Sequence, residues 1–316
     1  MVGFIIGIEY EHRVDVNNYL TNLQPIRESN TGYKFIKPLL AYKIPSANDE
    51  IKFQPLRNNV NNFIEKRKAN NELKDFSLFL LELDQGRWIG INENQKYSPA
   101  SLMKVVIMMA YYKAAEQDSA LLNQHIIYTK AIDDLNVYPA TPSKLQIGNS
   151  YSVDELIGDM IIDSDNGALS LLDNNINIDF LQSVTDDLNI PNFQDKYVIS
   201  PRDYSFLFRI LYNANYLNRE MSEKALSTLA QTKFTDGLVA GLPDNITAAH
   251  KFGQDNDVND QHQVTGIELH DCGIVYYEPS PYFLCIMTRG DDVNKLKNAI
   301  KEASALIYQD ISSMAI

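Results

Sequence analysis

A serine and a lysine lie three residues apart at the start of a long apolar stretch, YSPASLMKVVIMMAYYKAAEQ (97–117). In a helix this spacing puts the Lys104 amine on the same face as the Ser101 hydroxyl, one turn later. A serine hydroxyl is a weak nucleophile unless a base takes its proton, and a buried lysine can be that base. The Ser101 N–H, at the positive helix end, is suited to an oxyanion. The spacing thus predicts a nucleophile with its base; the alternative is a serine that only caps a buried helix.

A second polar motif, Ser164-Asp165-Asn166, lies 63 residues after Ser101 in the segment YSVDELIGDMIIDSDNGALSLLD. It falls between two stretches in which apolar residues have helical spacing. A hydroxyl there can relay a proton to a leaving group, and the Asn166 amide can hold a substrate carbonyl group. The alternative is purely structural, because Ser, Asp and Asn are common in loops and at helix N-termini.

A third motif, Lys251-Phe252-Gly253, occurs in AAHKFGQ, 87 residues after Ser164 and just before a predicted hairpin. A lysine on an edge strand can bind a substrate anion, and a glycine beside it lets substrate backbone approach closely. The alternative is a solvated lysine, which edge strands commonly carry.

The elements that position these motifs follow from the spacing of apolar residues. A first helix is predicted from four positions at helical spacing: Leu56, Val60, Phe63 and Ile64. Strands are predicted at FSLFLLELD and RWIGIN, and the chain closes with the hairpin CGIVYYEPSPYFLCIMTRG and the amphipathic helix DDVNKLKNAIKEASALIYQDI. Strands thus lie at both ends of the chain, with mostly helical patterns between them.

This order predicts an α/β protein of the α+β type. One antiparallel sheet is built from both chain ends and flanked by the terminal helices, and a mostly helical subdomain is inserted in the middle. Residues 1–55 are expected to form an N-terminal extension and residues 56–316 the main domain. Within this domain the sheet takes residues 56–98 and 246–316, and the helical subdomain takes residues 99–245.

Composition and charge exclude several classes of function. The 316 residues are 45% hydrophobic, enough to bury a large core. The net charge is −13, from 41 acidic and 28 basic residues, so nucleic-acid binding is not expected. The opening MVGFIIGIEYEHR lacks the pattern of a signal peptide. Its apolar part has two open interpretations, the end of an upstream membrane anchor or a buried N-terminal strand.

Neither the cysteines nor the histidines predict a metal site. Cys272 and Cys285 flank the turn in YEPSPY. With that turn centred near Pro279 and Ser280, the two cysteines lie diagonally across the hairpin, so no disulfide is expected. Their spacing suits neither zinc nor a redox dithiol. Three histidines near the third motif are expected to be ordinary polar residues: His250, His262 and His270.

In this chain order, S-x-x-K at Ser101, S-D-N at Ser164 and K-x-G at Lys251 resemble the motifs of the penicillin-recognising serine hydrolases, specifically the class A β-lactamase-like group. The resemblance covers roughly residues 55 to 316 and includes the segments YSPASLMK, SPRDYSFLFRIL, AGLP and HDCGIVY. That family also has the architecture that the apolar spacing predicts.

The resemblance implies a role for each motif residue. Ser101 would be the acylated nucleophile, Lys104 its base or proton relay, and Ser164 the hydroxyl that passes a proton to the leaving group. Asn166 would bind the substrate amide, and Lys251 would support the charges around Ser164 and the substrate carboxylate.

The oxyanion hole would consist of the backbone N–H groups of Ser101 and Gln254, with Phe252 and Gly253 beside the substrate. The resemblance implies no cofactor, and substrates that are β-lactams or cell-wall peptides. Such substrates lie outside the cytoplasmic membrane, so an extracytoplasmic protein is expected. The oligomeric state stays open.

Two departures from the family pattern bear on function. In class A β-lactamases a glutamate after S-D-N activates the water that clears the acyl-enzyme, and no Glu occurs here from Leu156 through Arg219. The loop that carries this glutamate in the family is shorter here. Three aspartates near it are expected to lie at a helix end and on the loop surface rather than to replace the glutamate: Asp186, Asp187 and Asp195. Phe252 replaces a hydroxyl residue that helps grip a carboxylate, and a phenyl ring donates no hydrogen bond. A ring in the cleft would favour an apolar substrate group.

Three functions fit these motifs. The leading hypothesis is a serine acyl-transfer hydrolase, like a β-lactamase, a D,D-peptidase or an esterase, that acylates Ser101 and deacylates slowly. The second is a degenerate family member that binds an envelope peptide or a protein without chemistry. The third is a true β-lactamase with a different deacylation route.

Overall fold

The structure begins with two short strands that pack on the rest of the chain. The computed structural model describes residues 24–28, 32–43, 54–130, 143–190, 197–258, 264–278 and 280–314. Strands β1 (Gln24–Arg27) and β2 (Leu39–Lys43) pair antiparallel. The Glu223 carboxylate accepts hydrogen bonds of 2.8 to 3.1 Å from the backbone N–H groups of residues 34–36. This contact attaches the described part of the predicted extension to the main body.

Eight α-helices and seven further strands follow within these ranges. The strands are β3 (Asp75–Glu82), β4 (Trp88–Ile91), β5 (His125–Ile127), β6 (Ser150–Ser152), β7 (Ala248–Val258), β8 (Val264–Val275) and β9 (Tyr282–Gly290). The helices are α1 (Gln54–Ala69), α2 (Lys104–Ala115), α3 (Val153–Ile162), α4 (Asn166–Asn175), α5 (Ile178–Asp187), α6 (Pro201–Tyr212), α7 (Arg219–Leu229) and α8 (Val293–Met314).

The central sheet is antiparallel and joins strands from both chain ends. Its order is β4-β3-β9-β8-β7, so the early strand β3 pairs with the late strand β9. Alternate residues of β3 point to opposite faces, as a strand requires. Leu78 packs in the core under the terminal helices α1 and α8, whereas Phe79 packs in the core shared with the middle helices. The predicted fold class is confirmed.

The terminal helix α1 forms where the apolar spacing predicts it. Leu56, Val60 and Ile64 are buried on one stripe, and Phe63 is half-buried beside them. Helix α2, by contrast, is buried all round, with ten of its twelve residues inside. A helix without a polar face belongs in the centre of a helical layer. The predicted domain limits stay predictions, although α2 to α7 all lie within residues 99–245.

The two cysteines form a disulfide, so the prediction that they do not was wrong. The register of β8 and β9 pairs Val275 with Tyr282 and Cys272 with Cys285. A turn centred on Pro279 and Ser280 would have put residue 287 opposite Cys272, so the true register differs by two residues. Directly opposite residues of an antiparallel pair bring their Cβ atoms within disulfide reach.

The opening apolar segment lies outside the described residues. Among the helices that the structure describes, none is long and apolar enough to cross a membrane.

Candidate active site

Ser101 lies in a 3₁₀ turn, Ala100–Met103, that leads directly into α2. The predicted position at the start of the helix is therefore right, but the turn is tighter than an α-helix. Ser101 is half-buried, and its backbone N–H has no partner within the turn, since only later N–H groups can bond back. Tyr204, fully buried, donates its hydroxyl to the Leu102 carbonyl at 2.9 Å and holds the turn from below.

The backbone is strained at Ala100, next to Ser101, and at Ser164 itself. Ala100 has φ +47° and Ser164 has φ +58°, in the left-handed region that residues with a Cβ adopt at a cost. Such a conformation costs about 1 to 3 kcal/mol and persists only where the surrounding contacts impose it. Ser164 lies between α3 and α4, in the loop that the sequence predicted between two helices.

Lys104 is buried, with 2% of its surface exposed, and its amine faces the second motif. Nζ donates to Ser164 O at 2.5 Å, to Asn166 Oδ1 at 2.7 Å and to Ser164 Oγ at 3.2 Å. Although both side chains are described, the Lys104 amine makes no hydrogen bond to the Ser101 hydroxyl in this arrangement. Burial lowers the pKa of Lys104 to about 7, against the opposing charge of Asp165.

Lys251 completes the cluster from the opposite side. It is fully buried on β7, and its Nζ donates to Ser164 Oγ at 2.9 Å. Burial holds the pKa of Lys251 well below its usual range, the charge of Lys104 lowers it further, and Asp271 opposes the shift. The Ser164 hydroxyl thus accepts from two amines and keeps its own proton for donation. The alternative of a solvated edge lysine does not describe this residue.

Asp165 fixes the loop that carries Ser164 and Asn166. Its carboxylate caps α4 by accepting from the Ala168 N–H at 3.0 Å. The same carboxylate accepts from the Lys144 N–H at 2.8 Å, which ties the loop to the segment that begins at Ser143. The S-D-N motif therefore combines the cap that its composition suggests with a position in the site.

Gly253 has a structural role that the sequence did not indicate. A Cβ on this residue would lie 2.7 Å from the Pro99 carbonyl oxygen and 3.1 Å from the Leu102 Cγ. The glycine therefore lets β7 pack directly on the turn that carries Ser101. β7 is an edge strand, and its Phe252 carbonyl oxygen faces the Lys251 amine at 3.2 Å. Gln254, two residues on, directs its backbone N–H to the same side.

The structure adds a residue that sequence reasoning missed, Ser98. Its hydroxyl donates to Asp255 Oδ2 at 2.6 Å and its N–H donates to Glu268 Oε2 at 2.9 Å. Its carbonyl oxygen lies 3.0 Å from His270 Nε2. Glu268 is buried and also binds the Arg289 guanidinium. The sheet thus holds Ser98, three positions before Ser101, by all three of its polar groups.

A second missed residue is Phe234, whose ring stacks on that of Phe252. The centroids are 4.2 Å apart and the planes are 19° from parallel. The Lys251 amine lies 4.3 Å from the centroid of Phe252, which puts this ring beside the cluster at Ser164. The sequence does not predict the stacking, because Phe234 and Phe252 are 18 residues apart and the segment between them is largely irregular.

Other candidate residues take part in different contacts. His250 is buried and lies 2.8 Å from Asp271 Oδ1, and His262 lies outside the described residues. Asp186 and Asp187 end α5, where they accept hydrogen bonds from Gln182 and Tyr216. Asp195, like His262, lies outside the described residues. Within the described ranges, no group of three or more His, Cys, Asp or Glu side chains is placed to hold a metal ion.

The same fold occurs in solved β-lactamases and in PBP-A. A β-lactamase from Chitinophaga pinensis DSM 2588 matches with a TM-score of 0.69 and 18% identity, over 82% of this chain and 100% of that chain. A PBP-A mutant in an acyl-enzyme complex with penicillin G matches with a TM-score of 0.66 and 22% identity, over 82% of this chain and 97% of that chain. A class A β-lactamase from Mycobacterium abscessus matches with a TM-score of 0.66 and 17% identity, over 80% of this chain and 98% of that chain.

These matches define the fold as that of the β-lactamase-like serine hydrolases. The model of the β-lactamase enzyme family matches residues 55–311, and the chain belongs to this family. No curated protein matches the chain.

Proposed function

We propose that this protein is a serine acyl-transfer hydrolase that forms an acyl-enzyme on Ser101 with an amide or ester. The observation that carries the proposal is the pair of buried amines at one hydroxyl, since Lys104 and Lys251 both donate to Ser164 Oγ. Burying two lysines side by side costs free energy that a binding surface does not need. The lowered pKa of Lys104, about 7, suits proton transfer near neutral pH.

In the proposed acylation, Ser101 Oγ attacks the substrate carbonyl carbon while its proton passes to the neutral amine of Lys104. The oxyanion is stabilised by the N–H groups of Ser101 and Gln254. Ser164 gives a proton to the leaving group as its bond breaks, and Lys104 returns a proton through its 3.2 Å contact with Ser164 Oγ. Asn166 holds the substrate amide, and no cofactor takes part.

Deacylation is proposed to be slow, because no glutamate from residue 156 through residue 219 is available to activate water. The proposed substrates are cell-wall peptides or β-lactams, met outside the cytoplasmic membrane. A PBP-A mutant forms an acyl-enzyme with penicillin G, which makes this compound a suitable probe here.

The test is intact mass over time after incubation with penicillin G and, separately, with an activated ester. Ser101→Ala serves as the control. A persistent adduct that Ser101→Ala abolishes is the expected result. An adduct that forms and clears while penicillin is consumed would instead indicate a β-lactamase with another deacylation route. No adduct with either reagent would overturn the hydrolase.

A second candidate is a binding protein that keeps the fold without the chemistry. It is favoured by the direction of the Lys104 amine, which donates to Ser164 and Asn166 rather than to Ser101. A neutral amine donates only two hydrogens, so as a base Lys104 has to release at least one of its three acceptors and turn its lone pair to Ser101. The same mass experiment separates the candidates, because a binding protein acylates at no measurable rate.

A further inference from the structure

The Lys251 amine has its hydrogens committed to partners within the chain. Nζ donates to Ser164 Oγ at 2.9 Å and to Phe252 O at 3.2 Å. On the remaining side it faces the Phe252 ring, with the centroid 4.3 Å away. An ammonium group has three hydrogens for such contacts and a neutral amine has two, so in either state none is left over. A substrate anion can reach this amine only by displacing one of them.

The Phe252 ring is held in place by its neighbour. It stacks on Phe234 with centroids 4.2 Å apart, and both rings are half-buried. Such a pair contributes about 0.5 to 1.5 kcal/mol beyond the area that it buries. The two rings therefore present a fixed aromatic surface beside the Ser164–Lys251 hydrogen bond.

A buried carboxylate lies behind this surface. Asp271 is directly opposite Phe252 in the register of β7 and β8, and it is fully buried. Its oxygens are engaged with His250 Nδ1 and the Leu238 N–H, both at 2.8 Å. A second carboxylate brought against the Phe252 ring would lose its hydration and gain repulsion from Asp271.

We propose that this site prefers acyl donors whose leaving group carries no carboxylate, and that β-lactams and cell-wall peptides, whose leaving amines carry one, acylate it more slowly than such neutral donors. These donors are neutral esters or amides whose apolar or aromatic part packs on the Phe234–Phe252 pair. The inference rests on the proposed function, since Ser101 has to be acylated for the preference to be read. In that step the Ser101 oxygen bonds to the acyl carbon, the bond from that carbon to the leaving oxygen or nitrogen breaks, and the leaving group takes the proton.

The experiment compares two esters that differ at one position. Phenylacetylglycine is esterified with 3-hydroxybenzoic acid, which leaves as a carboxylate-bearing phenol, or with 3-hydroxybenzamide, which is neutral. Second-order rate constants for acylation are measured by intact mass. The neutral ester is expected to react at least about tenfold faster, because an unpaired desolvated charge discriminates by this much or more.

Variants assign the preference to the aromatic pair. Phe252→Thr, which restores a hydroxyl, is expected to bring the ratio of the two rates to one or below. Phe206→Thr removes another surface ring, 40% exposed on α6, and is expected to leave the ratio unchanged. If Phe252→Thr does not fold, the ratio of the two rates in the wild type still decides whether the site prefers the neutral ester.

The possible failures are distinct. Equal or faster acylation of Ser101 by the carboxylate ester would overturn this inference and leave the hydrolase standing. A neutral preference that Phe252→Thr retains would remove the aromatic pair from the explanation and overturn the inference as stated. Failure of both esters to acylate Ser101 would overturn the inference together with the proposed function.

Discussion

Lys251 Nζ lies 2.9 Å from Ser164 Oγ, a hydrogen bond between residues 87 positions apart in the chain. It joins the edge strand β7 to the loop between α3 and α4. Lys104 reaches the same hydroxyl from α2, so one oxygen connects the three motifs. Both amines are buried, and the charge of Lys104 adds to burial in lowering the pKa of Lys251.

Replacement of Lys104 tests its role as the base. Lys104→Met keeps an unbranched side chain in the buried position but removes the amine. We expect acylation by the activated ester to slow by about 10²- to 10⁴-fold, the usual contribution of a general base. Lys113→Met, in the last turn of the same helix, is the matched control and is expected to acylate like the wild type. A Lys104→Met protein that acylates at full rate would exclude this lysine as the base.

The pH dependence of acylation follows from the lowered pKa of Lys104. Only the neutral amine accepts a proton, and with a pKa of about 7 the neutral fraction grows as pH rises through that value. Below pH 7 the rate is expected to rise about tenfold per pH unit, and above it to level off. Rates of adduct formation from pH 5.5 to 9 measure this profile. A rate that still rises tenfold per unit up to pH 9, or that does not change with pH, would contradict it.

Gly253→Ala tests the packing of β7 on the Ser101 turn. The added Cβ would meet the Pro99 carbonyl oxygen at 2.7 Å, so the strand or the turn has to move. A shift of this kind is expected to slow acylation about 10²-fold. The matched control is Gly158→Ala in α3, where a Cβ meets nothing within 4 Å and where we expect a gain of about 0.5 to 1 kcal/mol in stability. Unchanged acylation in Gly253→Ala would show that the close contact is dispensable.

Glu268→Gln tests the anchor of Ser98. Glu268 accepts from the Ser98 N–H and the Arg289 guanidinium and is 3% exposed. Loss of this buried charge is expected to lower the free energy of unfolding by about 2 to 3 kcal/mol and to slow acylation. Glu302→Gln, which alters a carboxylate that is 54% exposed and pairs with Arg67, is expected to cost less than about 1 kcal/mol. Urea unfolding measures both, and equal effects would argue against a special anchor.

The cysteine pair is open to direct chemical test. The chain has two cysteines, and both are in the disulfide. Iodoacetamide is expected to add nothing to the unfolded, unreduced protein and two groups after reduction. Closing a loop with a sequence separation of 13 is expected to stabilise the oxidised protein by about 3 kcal/mol in urea. Two thiols that react before reduction would contradict the observed register.

Much of the fold could be predicted from local patterns. The buried stripe of Leu56, Val60 and Ile64 and the alternation along β3 are properties of a helix and a strand taken alone. The motif residues could also be found, because Ser101 and Lys104 are one helical turn apart and Ser164 follows in a polar loop. The disulfide could not, because a shift of two residues in a turn changes every cross-strand neighbour.

The sequence by itself determined the order of the elements, the three motifs and the family to which the chain belongs. Only the tertiary structure decided which groups meet: Lys104 with Ser164, Phe252 with Phe234, and Ser98 with Glu268. The reason is physical. Periodicity fixes which face of an element is buried, but contacts between residues 18 to 170 positions apart depend on how those faces pack, and packing is a property of the whole chain.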